Sequence, residues 1–182
     1  MRHEYLLQQL SNFTPADAEE ERHCAEIMTL LSQSTAPFSR AHFEPGHVTA
    51  SCFIVDPATG RLLLHHHKRL DRWLQMGGHV EGDELPPQAA LREGMEESGL
   101  EDLRLMRGSV LDVDVHAIPA GKGEPEHKHF DVRYVALTLA PERLSRDVKE
   151  SNELAWFELG RAEELMGEPG SSRAIRKIRG LM

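Results

Sequence analysis

Over the first forty-odd residues the apolar positions recur at helical spacing. Cys24, Ile27, Met28 and Leu31 fall on one face. Thr14 followed by Pro15 reads as a helix start, a hydroxyl cap and then proline at the first helical position. Residues 35–47 (TAPFSRAHFEPGH) carry two prolines and a glycine and read as a connection. From Val48 the signal changes to strands. VTASCFIVD and RLLLHHHK flank the turn DPATG, which predicts a hairpin, and WLQM is a third short strand ending at Gly77 and Gly78. Pro86 to Ser98 reads as a helix opened by prolines and closed by Gly99. In SVLDVDVHAI, Leu111, Val113 and Val115 share one strand face, and Asp112, Asp114 and His116 the other. The loop PAGKGEPE returns the chain into HKHFDVRYVALTL, another strand. A weaker strand around LAWFEL and two short helices follow, the last one basic through Arg173, Arg176, Lys177 and Arg179.

Strands and helices interleave irregularly, with hairpins as well as crossovers. The expected class is α/β (α+β), a mixed sheet between helices. Residues 1–45 are expected to form a helical extension packed on a core domain of residues 46–182. No strand–GxGxxG–helix unit and no GxxxxGK[ST] occurs, which disfavours a dinucleotide fold and a P-loop enzyme. The chain is 182 residues long and 40% hydrophobic, enough for one domain with a sizeable core. Its formal charge of −9 gives no support to a general phosphate-backbone binder. Two cysteines, Cys24 and Cys52, make no disulfide framework. The amino-terminal MRHEYLLQQL does not read as a signal peptide, and no apolar run reaches bilayer length. The expectation is a soluble, cytoplasmic protein without a membrane partner.

Chemistry concentrates in Gly78–Leu100, GHVEGDELPPQAALREGMEESGL. On a helical wheel with Glu93 at zero, Glu97 lies about 40° to one side and Glu96 about 60° to the other. Leu91 and Met95 point the opposite way. Like charges at this spacing repel and destabilise a helix. The pattern is either an ordinary solvated acidic face or a set of carboxylates gathered around a cation. Hard divalent ions such as Mg²⁺ or Mn²⁺ prefer such an all-oxygen shell.

The residues around the helix decide between the two. Gly78, Glu84, Arg92, Glu93, Glu96, Glu97, Gly99 and Leu100 stand in register with the signature of the Nudix hydrolase family, which this sequence resembles. A chance match of this kind has odds on the order of 10⁻⁶ for a chain of this length. One position departs: Gly94 stands where a hydrophobic residue is expected, at a helix-propensity cost of about 1 kcal/mol relative to Ala. The resemblance covers roughly Gly46 to Met166, and the amino-terminal helices look like an extension that some members carry.

The resemblance implies hydrolysis of a diphosphate linkage, often in a nucleoside diphosphate derivative, with Mg²⁺ or Mn²⁺ as cofactor. Carried over by position, Glu96 and Glu97 are the main metal ligands, and Glu93 is a further ligand or helps activate water. Arg92 orients the carboxylates. Glu84 supports the loop–helix junction or reaches a second metal, and the Gly77 carbonyl is a backbone ligand. Family members often take another carboxylate from a distant loop. Glu150 and Glu153 are the candidates here, with Glu150 preferred as a ligand; both also fit plain exposed loop glutamates. The resemblance implies a small diphosphate compound as partner; an RNA-decapping role gets no support from the net charge of −9, and homodimers are common in the family.

Eleven histidines is a high count. His127, His129, Asp131 and Arg133 alternate along one strand face, and with His79 in the box loop they are candidate substrate contacts. If the strands carrying His116 and His129 form a hairpin, the two polar rows meet as a substrate wall, a second metal site or a solvated face. Within the triplet His65, His66 and His67, at least one is expected to face the box. Two other readings remain: an isopentenyl-diphosphate-isomerase-like enzyme, which needs a poised cysteine, and a non-catalytic ligand sensor on the same fold.

Overall fold

A computed structural model describes residues 1–121 and 123–182. Strand β1 (Gly46–Asp56) is buried along its whole length, as a strand with layers on either side must be; Val48, Ala50, Cys52 and Ile54 line one face, and His47, Thr49 and Ser51 precede Phe53 and Val55 on the other. On one edge it pairs in parallel with β7 (His127–Leu137), from Gly46 opposite Lys128 to Val55 opposite Leu137. On the other edge it takes two antiparallel partners in succession. β4 (Met76–His79) lies against Thr49–Cys52, and β2 (Arg61–His67) against Ile54–Asp56. β2 also pairs with β3 (Arg72–Leu74) and with β8 (Ser151–Phe157). β7 adds β6 (Asp112–Ile118) and the two-residue β5 (Arg104–Leu105).

The expected hairpin is present: the Gly60 amide donates to the Asp56 carbonyl at 2.8 Å, and the Asp56 side chain accepts from the Ala58 amide. WLQM is not one strand. It divides at Gln75 because its first half pairs with β2 and its second with β1, and the second half runs through both glycines to His79.

Helices cover both faces. α1 (Arg2–Ser11), α2 (Ala18–Gln33) and α3 (Pro86–Ser98) share one apolar cluster in which Leu6, Ile27, Ala90, Val48, Ala50 and Cys52 are buried together. α4 (Leu159–Met166) and α5 (Pro169–Leu181) close the second cluster over Phe53, Val55, Leu62 and Val135. The mixed sheet therefore lies between helices. α2 starts later than Thr14–Pro15 suggests. Asp17 is its cap and accepts from the Glu20 amide at 2.8 Å, so a carboxylate rather than a hydroxyl meets the positive end of the helix.

Gly94 is explained by what lies beneath it. A Cβ there would sit 2.7 Å from Cys52 Sγ and 3.0 Å from a Leu103 methyl. The glycine lets α3 rest directly on β1, and the Cys52 thiol donates to the Ala90 carbonyl at 3.2 Å. Gly94→Ala is expected to lose about 1–2 kcal/mol by overpacking, despite the better helix propensity of alanine. Urea melts of Gly94→Ala and of Gly94→Ala/Cys52→Ala check this, because removing the sulfur must recover most of the loss.

The basic carboxy-terminal helix is not the solvated face its composition suggests. Arg173 is 1% exposed and reaches Asp112 Oδ2 at 2.8 Å and the Val113 carbonyl at 2.9 Å. Lys177 bonds Glu20, which is wholly buried at the start of α2. Arg176 and Arg179 stay outside and pair with Glu163. Among the described residues no helix is long and apolar enough to cross a membrane.

Candidate active site

α3 is held at both ends by local chemistry. Pro86 and Pro87 preset its first turn, and the Gln88 side chain accepts from the Leu85 amide at 2.7 Å. Gly99 ends it in the left-handed region at φ 73°, its amide donating to the Met95 carbonyl, as helices commonly end. Between these fixed ends Arg92 gathers the acids. Its Nε and Nη2 donate to the two oxygens of Glu84 at 3.1 and 2.7 Å, and its Nη1 to Glu93 at 2.9 Å and Glu96 at 3.1 Å. Nη2 also donates to the His79 carbonyl at 2.9 Å, which ties α3 to β4. Glu84 thus has both oxygens engaged, bonded to Arg92 of α3 and to the Glu81 amide of the preceding loop. Burial raises its pKa, but the bonds from Arg92 and the Glu81 amide outweigh this and hold it below the usual carboxylate range.

Glu97 is the most enclosed acid of the three, 4% exposed, because its wheel position turns it toward the sheet. One oxygen accepts from the Gly77 amide at 3.0 Å. The other lies 3.9 Å from Nδ1 of His65, which is 2.8 Å from the Ser151 hydroxyl. Burial pushes the Glu97 carboxyl up to about 9 against the pull of the Gly77 amide, and the charges of Glu93 and Glu150 add to the rise. Glu93 is raised as well, first by burial and then by Glu96 and Glu150, with Arg92 opposing. Burial lowers His65 to about 4, so this imidazole is neutral beside the acids.

The donor set fits a hard divalent cation. Glu93 and Glu96 each spend one oxygen on Arg92 and keep the other, and Arg92 alone cannot neutralise four clustered acids. A Cβ at Gly78 would lie 2.5 Å from Glu93 Oε1, so a side chain there would displace the carboxylate that Arg92 holds. Of the two distant glutamates, Glu150 is the one whose charge reaches Glu93 and Glu97. Glu153 pairs in the sheet opposite His66. Cys52 is fully buried under α3 and its thiol is pushed well up by burial. This site gives the isomerase reading no exposed cysteine.

The other face of β1 carries the histidines. Asp112, Asp114 and His116 do stand opposite Arg133, Asp131 and His129. His127 and His129 share a face with Asp131 and Arg133, but the two pairs live in different surroundings. Asp131 and Arg133 are each 3% exposed. Asp131 accepts from Thr49 at 3.1 Å, from Ser51 at 2.7 Å and from Arg133 at 3.1 Å. Arg133 also reaches Asp112 at 3.3 Å and Asp114 at 3.1 Å. His127, His129 and His79 lie together beyond this ionic layer. His47 joins them, a residue that sequence reasoning leaves in the preceding connection. Alternation with Thr49 and Ser51 was the one signal that could have placed it on the strand.

Residues 45–178 match the family model of the NUDIX domain. The chain belongs to the Nudix hydrolase family. Like the family's other enzymes, this Nudix hydrolase acts on phosphoric anhydride bonds. It is 30% identical over 135 residues to a probable DHNTP pyrophosphohydrolase of Lactococcus lactis subsp. cremoris, covering 72% of this chain and 77% of that protein. Its fold is similar to that of the Ap4A hydrolase of C. elegans in a binary complex. That likeness has a TM-score of 0.60 and 22% identity, and covers 74% of this chain and 96% of the other. The E. coli dihydroneopterin triphosphate pyrophosphohydrolase is also similar, with a TM-score of 0.53 and 20% identity over 71% of this chain and 92% of that one.

Proposed function

We propose that this Nudix hydrolase is a metal-dependent pyrophosphohydrolase that cleaves a diphosphate linkage in a nucleoside diphosphate derivative by attack of water on phosphorus. The observation that carries the reading is the buried acid Glu97, held against the Gly77 amide beside Glu93, Glu96 and Glu150. Glu93, Glu96 and Glu97 would hold Mg²⁺ or Mn²⁺, with the Gly77 carbonyl and Glu150 completing the oxygen shell. When bound, the cation supplies charge neutralisation of the diphosphate and a lowered pKa for an attacking water.

The chain's own residues do the rest. Arg92 holds Glu84, Glu93 and Glu96 in one arrangement, so no reorganisation is needed when substrate arrives. Glu93, held above the ordinary carboxylate range, is assigned the proton of the attacking water. His79 stands two residues beyond Gly77 on β4 and faces the same side as Thr49 of β1, so the histidine wall borders the remainder of the substrate. Asp131 and Arg133 are assigned the floor of this wall, which they brace through Thr49, Ser51 and Asp112.

The test is a panel of diphosphate compounds, including dinucleoside polyphosphates and pterin and nucleoside triphosphates, assayed with and without Mg²⁺ or Mn²⁺ in ¹⁸O-labelled water. The expected result is metal-dependent turnover with the label in a phosphate product. A folded protein that turns over no member of the panel in either metal would favour the sensor reading. Label in the non-phosphate fragment would contradict attack at phosphorus.

A further inference from the structure

Three imidazoles meet at the head of β1, apart from the carboxylates of α3. His47 and His129 are partners across the parallel β1–β7 pair, and His127 precedes His129 by two residues on the same face. The His47 ring centroid lies 5.1 Å from that of His127 and 5.0 Å from that of His129. One nitrogen can be taken from each of the three so that all lie within 4.8 Å of one another. His79 flanks the group on β4, 5.1 Å from His47, and the Phe43 ring packs edge-on to His127 at 5.1 Å.

The tautomers follow from the bonds the rings make. His47 Nδ1 is 3.1 Å from the His42 carbonyl, and His127 Nδ1 is 2.8 Å from the Pro125 carbonyl. A carbonyl only accepts, so both Nδ1 atoms carry hydrogen and both Nε2 atoms present a lone pair. His47 is wholly buried, and its Nε2 has no hydrogen-bond partner among the described residues. Buried acceptors are nearly always paired, and one that is not calls for an explanation. Lone pairs brought this close repel unless a proton or a metal ion lies between them.

We propose that His47, His127 and His129 form a binding site for a transition-metal cation of the Zn²⁺ class, separate from the carboxylate cluster. An ion central to three nitrogens no more than 4.8 Å apart would be at most about 2.8 Å from each, so shifts of no more than about 0.7 Å per ring bring it to the Zn–N bond length of about 2.1 Å. The His42 and Pro125 carbonyls supply the outer contacts that fix ring orientation in metal-bound histidines. Imidazole suits Zn²⁺, Cu²⁺ or Ni²⁺ and not Mg²⁺, whereas the all-oxygen cluster on α3 is suited to Mg²⁺ or Mn²⁺. Three protein ligands leave a fourth position of a tetrahedral ion open.

The experiment uses full-length protein stripped with chelator and titrated with Zn²⁺ and with Co²⁺ in excess Mg²⁺, in the wild type and in Glu97→Gln. Bound metal is counted by elemental analysis, and the Co²⁺ absorption spectrum reports the ligand field. The expected result is one equivalent of Zn²⁺ per chain in both proteins, with intense visible Co²⁺ bands typical of low-coordinate nitrogen ligation. His127→Gln and His129→Gln are each expected to weaken binding at least about 10-fold and to bleach those bands. His47→Gln should do the same; the other two variants carry the test if burial prevents it from folding. Retention of the equivalent and its spectrum in the folded His127→Gln and His129→Gln proteins would overturn the proposal. So would stoichiometric binding that disappears in Glu97→Gln, or no binding at all in the wild type.

Discussion

Arg133→Met is expected to cost about 3–5 kcal/mol of stability, the usual consequence of removing one partner from a buried ionic group. That corresponds to a fall in Tm of roughly 10 °C for a domain of this size. Arg133 stands among three carboxylates, those of Asp112, Asp114 and Asp131, and touches all of them. Without the guanidinium, three acids share a site from which water is excluded, with Arg173 and Lys177 left to balance Asp112 and Glu20. Combining Arg133→Met with Asp131→Asn must recover part of the loss, because it removes one of the stranded charges. Thermal and urea unfolding measure both. A nearly unchanged Tm with a large rise in KM would instead mean that Arg133 meets the substrate directly, as its place in the sequence suggests.

The second large effect is on turnover. Glu97→Gln is expected to lower kcat by about 10²–10³-fold, because charge stabilisation by a bound cation is worth several kcal/mol. The same change should leave the metal-free protein as stable as before, or slightly more so. Glutamine keeps an oxygen for the Gly77 amide at the place where the acid now sits. It also removes an ionisable carboxyl whose pKa is raised first by burial and then by Glu93 and Glu150. A loss of activity accompanied by unfolding would indicate a structural role, whereas activity that survives would move the metal site elsewhere.

The contrast between these two residues shows what the sequence makes legible. The α3 site is local: its caps, its three acids and its arginine lie within about twenty residues, and helical geometry alone puts them on one stripe. The depth of Glu97 is not legible, since the wheel separates Glu97 from Glu96 by angle but does not say which side faces the sheet. Gly94 reads as a flaw in the helix until Cys52, forty-two residues earlier, is seen beneath it. Arg173 and Lys177 look like solvent-facing charges because their partners, Asp112 and Glu20, arrive from distant strands and helices. His47 is the clearest case. It lies among prolines and a glycine that mark a connection, yet it is the second residue of β1, and only the parallel pairing with β7 places it beside His129.

Calorimetric titration of Mg²⁺ into metal-free protein, in buffers of different ionisation enthalpy at pH 7.5, tests the central assignment most directly. Glu97 in the folded protein holds its proton up to about pH 9. A cation that takes Glu97 as a ligand must expel that proton, so affinity rises with pH through neutrality and levels off above about 9. The expected result is net proton release on binding in the wild type, and both weaker binding and no such release in Glu97→Gln. Mg²⁺ binding that releases no proton and is indifferent to the substitution would contradict it.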